Sequence, residues 1–524
     1  MRMKNNDNQC GFLDSDYYCE SLIPQNSFFR RFRDLVGLLI EDETFRDLYC
    51  WKNGRPPISP SLMAKAMLLQ YHMNLSDREM ERTCQFDLEV KFALGLRIDE
   101  RPFDHSSLGD FRQRLLKSGR EKQIFDGIVA ELVSKKLISR DEVQRIDATH
   151  IIADIALPNM VGMVKKGSFE ILKKLKAHHP KLYAKVSKQL DPEDYCSGRI
   201  NDDGPGRFSL EKRHERLVTY VKDARYLLRE IKSIEDGENL KPGVDILKTV
   251  LRENIEEDTS DGIPVEMDPK KKPTNRMVSP VDPAAKAGAK SKFKKFFGYK
   301  ASITQEVRNQ FITNIDVMPG NKRDGDPTSD LVAEQIIKHN LLPKKLIGDT
   351  AYGDGFYRKD IHDFGSEVIA PFKESTPRTK AVFPKTDFKI DRKKNTLTCP
   401  KGIVAQPHFY DSAHSSMVFH FPMSICRLCE WKPKCTNARE GRRTVRIFDW
   451  QEMTNKSHEY NLTEDFKKDM KLRQPIEGKF SEMKRQHGLT RTRYRGLGKV
   501  GLQCFFTAAV MNIKRWIKLE YATA

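Results

Sequence analysis

The chain has 524 residues, of which 38% are hydrophobic, and its 92 Lys plus Arg outnumber 73 Asp plus Glu to give a formal net charge of +19. That length exceeds one ordinary core and allows about three or four domains, and a basic surplus of this size points to a phosphate-rich partner. No apolar run approaches the roughly 20 residues of a membrane span, and the start MRMKNNDNQC carries no apolar stretch behind its charges. A membrane span is therefore not expected, and a cytoplasmic location is.

In chain order, residues 27–140 read as helical. Ser59 followed by Pro60 is a cap with a proline at the first helical position, and Leu62, Met63, Ala66, Leu69 and Met73 follow at helical spacing. Ser76 and Glu79 make a capping box for a helix through Met80 and Cys84, and a third helix is predicted from Ser106-Ser107 through Leu108, Phe111 and Leu115. Short helices joined by tight turns suit a helix-turn-helix reader of duplex DNA and an ordinary bundle equally well. Val143 to Ala156 then changes to a β-branched, alternating run that reads as a strand. Residues 161–292 are polar and charged, with one clear helix through Leu217, Val221, Ala224, Leu227, Leu228 and Ile231. The stretch DPKKKPTNRMVSPVDPAAKAGAKSKFKK reads either as a solvated basic linker or as a loop lying on a phosphate backbone. Strand signals return at Gly298 to Val307, Phe311 to Val317, Lys345 to Asp349 and Glu367 to Ala370, with a helix at Asp330 to His339. This order predicts a mixed sheet flanked by helices. The chain ends in helices, the last carrying Val500, Cys504, Phe505, Ala508, Ile513 and Trp516.

Three acids stand out in this basic chain. Asp147 and Asp349 each close an apolar strand run, where a carboxylate leaves the core at the rim of a sheet and faces a crevice open to metal and substrate. The structural alternative for each is a cap or turn former. Glu477 follows Pro475 at the start of a helix with Gln474 as its cap, so it is either a first-turn glutamate that satisfies an orphan amide or a carboxylate kept ionised for a metal by the helix end. Ile476, Phe480 and Met483 cover the buried side of that helix, and Lys484 lies seven positions on, nearly eclipsed with Glu477. Beyond it, TRTRYRG sets Tyr494 among Arg491, Arg493 and Arg495, a segment suited to following a DNA strand with arginines on phosphates and the tyrosine on a base or sugar, or to a plain basic turn.

At these residues the sequence resembles the DDE transposases of bacterial insertion sequences, in the group marked by a Tyr-Arg-Glu-Lys signature. Arg473, Glu477 and Lys484 match that signature in type and spacing, while Met470 stands in the place of its tyrosine. DATH at Asp147 to His150 and GDTAYGDG at Gly348 to Gly355 resemble the two aspartate motifs. GYK at Gly298 to Lys300, PGNKRD at Pro319 to Asp324 and RGLGKVGLQCFFTAAVMNIKRW resemble the second strand, the turn after the third and the closing helix. GRPPISPSLM and FDHSSLGDFRQRL resemble the family's N-terminal domain. The resemblance implies an α/β chain: an RNase H-like mixed sheet flanked by helices, a helical N-terminal DNA-binding domain, a charged helical insert and a small cysteine-bearing insert. The expected division is 1–140 for the DNA-binding domain, 141–160, 293–384 and 446–524 for the catalytic domain, 161–292 for the charged insert and basic linker, and 385–445 for the cysteine-bearing insert.

By the same resemblance, Asp147, Asp349 and Glu477 hold two divalent ions, Mg²⁺ or Mn²⁺, for an in-line displacement at phosphorus. Hard carboxylate oxygens suit such ions, and packed like charges need them. Arg473 and Lys484 would hold phosphates beside the cut, and Arg491, Arg493, Tyr494 and Arg495 would contact DNA. The partners implied are the terminal inverted repeats, target DNA and a second copy of the chain, because pairing two ends requires at least a dimer in the synapse; the location implied is on the nucleoid. Cys399, Cys426, Cys429 and Cys435 form C-x26-C-x2-C-x5-C, whose central pair has good zinc spacing. Four thiolates make a closed structural zinc site, with unligated thiols or an iron–sulfur cluster as the alternatives and His408, His414 and His420 as substitute ligands. The leading function is an active transposase. Against it stand a domesticated or inactive DNA-binding protein that kept the fold and a stand-alone RNase H-like nuclease or resolvase.

Overall fold

Short polar side chains and prolines start the helices of the N-terminal third where the sequence places them. In the computed structural model, which describes residues 11–37, 39–49, 57–155, 157, 159–196, 210–232, 237–258, 262–291, 293–372, 383–391 and 393–521, seven helices come first: α1 (Ser15–Leu22), α2 (Phe28–Val36), α3 (Pro60–His72), α4 (Asp77–Phe86), α5 (Leu88–Leu94), α6 (His105–Lys117) and α7 (Gln123–Ser134). Ser59 accepts from the Leu62 amide, and Ser76 with Glu79 closes the capping box of α4. The third predicted helix starts one position early, because Asp104 rather than a serine takes the cap and accepts from the Ser106 amide at 2.8 Å.

The β-branched run that follows is β1 (Gln144–Ile152); of the expected extent, Ala156 lies outside the described residues. The charged insert is helical and holds more helix than its charge suggests. It comprises α8 (Met160–His178), α9 (Pro180–Val186), α10 (Pro192–Cys196), α11 (Leu210–Ile231), α12 (Gly237–Asn254) and the small hairpin β2 (Ile255–Glu257) and β3 (Pro264–Glu266). Val164, Ile171, Leu172, Leu217, Val221, Leu227 and Leu247 close a core of its own. The basic stretch does not remain a linker to its end, since its last residues form β4 (Lys286–Ser291), paired antiparallel with β5 (Lys294–Glu306).

The main sheet is completed by β6 (Ile312–Pro319), β7 (Lys345–Ile347) and β8 (Glu367–Ile369), with α13 (Thr328–His339) and α14 (Gly355–Asp363) between them. Its order is β4-β5-β1-β7-β8, with β6 on the same edge of β5 as β4. The strands β1 and β5 are antiparallel, whereas β1, β7 and β8 are parallel, so the sheet is mixed as predicted. One face packs Ile146, Leu346 and Val368 against Leu331, Val332 and Ile361 of α13 and α14. The other shares a continuous core with the N-terminal helices, in which Ile303 and Ile315 meet Met67, Ile128 and the long closing helix.

The cysteine-bearing region folds as two three-stranded sheets, β9 (Lys389–Asp391), β10 (Thr396–Thr398) with β11 (Val404–Ala405), and β12 (Pro407–Asp411), β13 (Ser416–His420) with β14 (Thr444–Phe448). Two short helices, α15 (Met423–Leu428) and α16 (Lys432–Cys435), lie between β13 and β14. The strand β14 continues to Phe448, past the boundary expected at 445. The chain closes with α17 (Gln451–Asn461), α18 (Glu464–Arg473), α19 (Ile476–Arg485) and α20 (Leu497–Tyr521), the last burying Val500, Cys504, Phe505, Ala508, Ile513 and Trp516. Among the described residues, no helix is long and apolar enough to cross a membrane.

Candidate active site

Backbone register sets Asp147 and Asp349 side by side. β1 pairs in parallel with β7 through Gln144 with Leu346 and Arg145 with Ile347, so Asp147 and Asp349, two positions further along each chain, come out at one end of the sheet, close enough for the charge of Asp349 to raise the Asp147 carboxyl. Asp147 is not at the end of its strand as expected: it is the fourth residue of β1, which continues against β5 to Ile152. The rim exists only on the β7 side, where pairing stops and the chain turns away at Gly348-Asp349. A strand therefore ends for one neighbour before it ends for the other, and the sequence of β1 alone carries no sign of it.

The structural roles weighed for the two aspartates are both partly filled. Asp349 accepts from the Ala351 amide at 2.8 Å and caps the 3₁₀ turn Thr350–Tyr352, using one of its two oxygens. Asp147 accepts from the Ala148 amide at 2.8 Å with Oδ1, and its Oδ2 accepts from Nη2 of Arg473 at 2.6 Å. Asp147 is 8% exposed. Burial pushes its carboxyl up to about 6; the Arg473 guanidinium and the Ala148 amide restrain the rise, and the charges of Asp349 and Asp324 add to it.

Arg473 is thus an ion-pair partner of the first aspartate as the structure stands, rather than a free phosphate holder. Its position is fixed from below. Arg145, fully buried in β1, donates from Nη1 to the Leu472 carbonyl at 2.8 Å, and Lys345 of β7 pairs with Asp469 of α18 at 2.8 Å. Gln474 and Pro475 both have helical backbone angles, so α18 runs into α19 with a proline bend and no side-chain cap at the junction. Glu477 therefore does not cap a helix start. It follows Arg473 by one turn, roughly 6 Å along the axis, is exposed, and its carboxylate makes no hydrogen bond among the described residues. Ile476, Phe480 and Met483 are buried as predicted. Lys484 is half-buried, and burial and then the nearby Lys290 lower its ammonium below the usual range. His150 of β1 is lowered by burial and by Lys484, Lys290 and Lys300.

Several groups around the two aspartates were quoted in the sequence motifs but not singled out as site residues. Asp324, from PGNKRD, pairs with Lys300 of GYK at 2.6 Å and adds to the field on Asp147. Tyr352, from GDTAYGDG, is fully buried beside Asp147, Asp324 and Asp349, with the Ser302 hydroxyl next to its own. Three carboxylates close enough to feel one another's charge, those of Asp147, Asp349 and Asp324, fit a site built for hard cations. The oxygens of Asp147, Asp349 and Glu477 are not gathered within 4.8 Å of one another; among the described residues only Glu81, Asp104 and His105 are that close. That surface trio is held by its own bonds, His105 donating its amide to Glu81 at 3.0 Å while Asp104 caps α6.

The TRTRYRG segment divides. Arg491 is exposed and pairs loosely with Asp154 at 3.3 Å, and Arg495 is exposed. Arg493 instead donates to the Leu75 carbonyl and the Asn74 side chain at the end of α3, and the Tyr494 ring lies under Arg112 with its hydroxyl 3.4 Å from that of Tyr71. These two side chains tie the segment to the N-terminal helices. The four cysteines Cys399, Cys426, Cys429 and Cys435 line one cavity of about 30 Å³, and Cys399 Sγ accepts from the Ile403 amide at 3.4 Å. Four thiols around one small cavity fit a tetrahedral sulfur site in donor chemistry, although no three sulfurs stand within 4.8 Å of one another. His408 and His420 stack on each other at 4.2 Å, and His414 pairs with Asp411 at 2.8 Å; none of the three lines that cavity.

Comparison with curated proteins finds no match. Two family models do match. Residues 17–114, spanning the capped helices, match a transposase domain (DUF772), and residues 398–517, spanning the cysteines, Glu477 and most of α20, match a transposase DDE domain. With a region similar to a transposase domain toward each end of the chain, the two matches support a DDE transposase of the insertion-sequence kind.

Proposed function

We propose that the chain binds the terminal inverted repeats of an insertion sequence, cuts the DNA there and joins the ends to a target. The observation that carries this reading is the parallel register that aligns Asp147 with Asp349 beneath the α18–α19 junction bearing Arg473 and Glu477. The strand order β6-β5-β1-β7-β8, antiparallel only through β5 and β6's edge, supports an RNase H-like catalytic sheet. Asp147, Asp349 and Glu477 would hold two Mg²⁺ or Mn²⁺ ions. When bound, the ions supply Lewis-acid activation of the attacking and leaving oxygens of an in-line displacement.

The chain's own groups do the rest. Arg145 and Lys345 fix the junction, which carries Glu477 one helical turn beyond Arg473. Arg473 balances the charge of Asp147 and lies where its guanidinium would also reach a phosphate beside the cut. Lys484, with Arg491 and Arg495 further along, holds the strand that leaves the site. The four cysteines close a structural zinc site that steadies the insert and takes no part in the chemistry.

The test uses the purified chain, Mg²⁺ and a duplex carrying the repeat that flanks its own gene. The wild type cleaves at the repeat end and transfers it to a second duplex. Asp349→Ala keeps DNA affinity within about threefold and loses cleavage by at least ~10³-fold. Normal cleavage by that variant overturns the assignment.

A further inference from the structure

Between Asp282 and Glu306 the sequence holds six lysines and no acid. The structure folds this stretch into the β4–β5 hairpin, and of its lysines only Lys300 belongs to the site described above, through its pair with Asp324. Lys290, Lys294 and Lys295 are exposed and form no ion pair among the described residues, and Phe293 beside them is 88% exposed.

The stem of the hairpin is anchored firmly. Phe296 is buried and its ring packs 5.1 Å from that of His150, and at Gly298 a Cβ would stand 2.1 Å from the Ile151 carbonyl oxygen. Only glycine lets β5 pass so close to β1, and this fixes the direction in which the hairpin leaves the sheet. Asp147 faces Ile303 and Ile152 faces Gly298, so β1 runs toward the hairpin, which projects beyond its C-terminal end. β7 runs the same way and delivers Asp349 on the same side.

We propose that the β4–β5 hairpin is an arm that grips duplex DNA within about one helical turn of the scissile phosphate at the aspartate site. This rests on the reading of the site given above. Phe293 lies ten strand positions beyond Ile303, at most roughly 30 Å at ~3.3 Å per residue for a straight strand, which is within the about 34 Å of one turn of B-DNA. The arm has the chemistry for a polyanion: lysines on both strands, an aromatic ring at the turn and no acid to satisfy them. Lys290 also stands near Lys484 and lowers its ammonium, two cations converging where a bridging phosphate would relieve both. An acidic protein surface would satisfy single lysines, but a row that begins beside the cleavage site and runs outward matches a continuous backbone.

The experiment uses the full chain and a duplex of about 40 base pairs, some four helical turns, carrying the terminal repeat. Lys290→Gln, Lys294→Gln and Lys295→Gln combined should weaken binding about tenfold near physiological salt and reduce the salt slope by about 2 to 3. A benzophenone side chain at position 293 should crosslink within about ten base pairs of the cut. Unchanged affinity and slope in the triple variant overturn the arm while wild-type cleavage leaves the active-site reading standing. A changed oligomeric state with DNA affinity intact also overturns it, in favour of contact with a second copy. A wild type that binds no DNA overturns both.

Discussion

Asp147 shows how a single carboxylate reports the purpose of its surroundings. It is buried on a strand beside Asp349 and Asp324, and its charge is answered by one guanidinium. Its carboxyl stands at about 6 in the fold against an ordinary 3.8. The folded chain thus holds that proton more tightly than the unfolded chain. The group's contribution to stability is complete below about pH 4 and is lost as pH rises through about 6, an effect of at most about 2–3 kcal/mol. In chelator-treated buffer, the stability of the wild type relative to Asp147→Asn, measured by urea unfolding, should therefore fall by about 2 kcal/mol between pH 4 and pH 7. A difference that stays flat across that window removes the electrostatic account of this residue. The two aspartates stand out in the sequence because apolar strand residues followed by an acid form a local pattern, although β1 runs on past Asp147 to Ile152. The partner of Asp147 was not legible: Arg473 lies 326 positions away and was read as a phosphate contact.

The loop between α19 and α20 shows the same limit for a whole element. Its arginines look alike in sequence, yet Arg493 is spent on Leu75 and Asn74, 418 and 419 positions away, while Arg495 faces solvent. The ring nitrogen Nδ1 of His487 lies 2.9 Å from the Tyr71 carbonyl and adds a third tie to the end of α3. Arg493→Gln should accordingly cost about 1–3 kcal/mol in thermal or urea unfolding and leave the salt slope of DNA binding unchanged. Arg495→Gln should leave stability unchanged and lower that slope by about 1. The reverse pattern would return Arg493 to the DNA interface. The zinc site is likewise tested at the scale of its element: elemental analysis should find one zinc per chain, and Cys426→Ser with Cys429→Ser should abolish it and lower the melting temperature without changing cleavage chemistry. Absence of zinc from a chain purified without chelator would leave these thiols as packing groups around Ile403 and Phe421. Among the elements, the caps at Ser59 and Ser76 were legible from three or four residues each. The strand β4 was hidden, because lysine-rich sequence reads as linker and its pairing depends on β5.

At the scale of the molecule, the N-terminal helices and the sheet share one hydrophobic core through α20, while the charged insert keeps its own. A repeat recognised by the N-terminal helices would therefore be held in fixed register with the aspartates, since α3 also carries the loop that follows α19. The mixed sheet and its helices were legible from periodicity in chain order. The shared core was not, because it is made of apolar faces that look complete within each segment. What remains decisive is whether three segments so far apart in sequence converge on one cation. Fe²⁺ substituted for Mg²⁺, with ascorbate and peroxide, cleaves a polypeptide next to the bound ion. The account predicts three cuts in the DNA-bound chain, near Asp147, Asp349 and Glu477, all lost in Asp349→Ala. Cuts confined to the Glu81, Asp104 and His105 surface, or absent near Glu477, would contradict it.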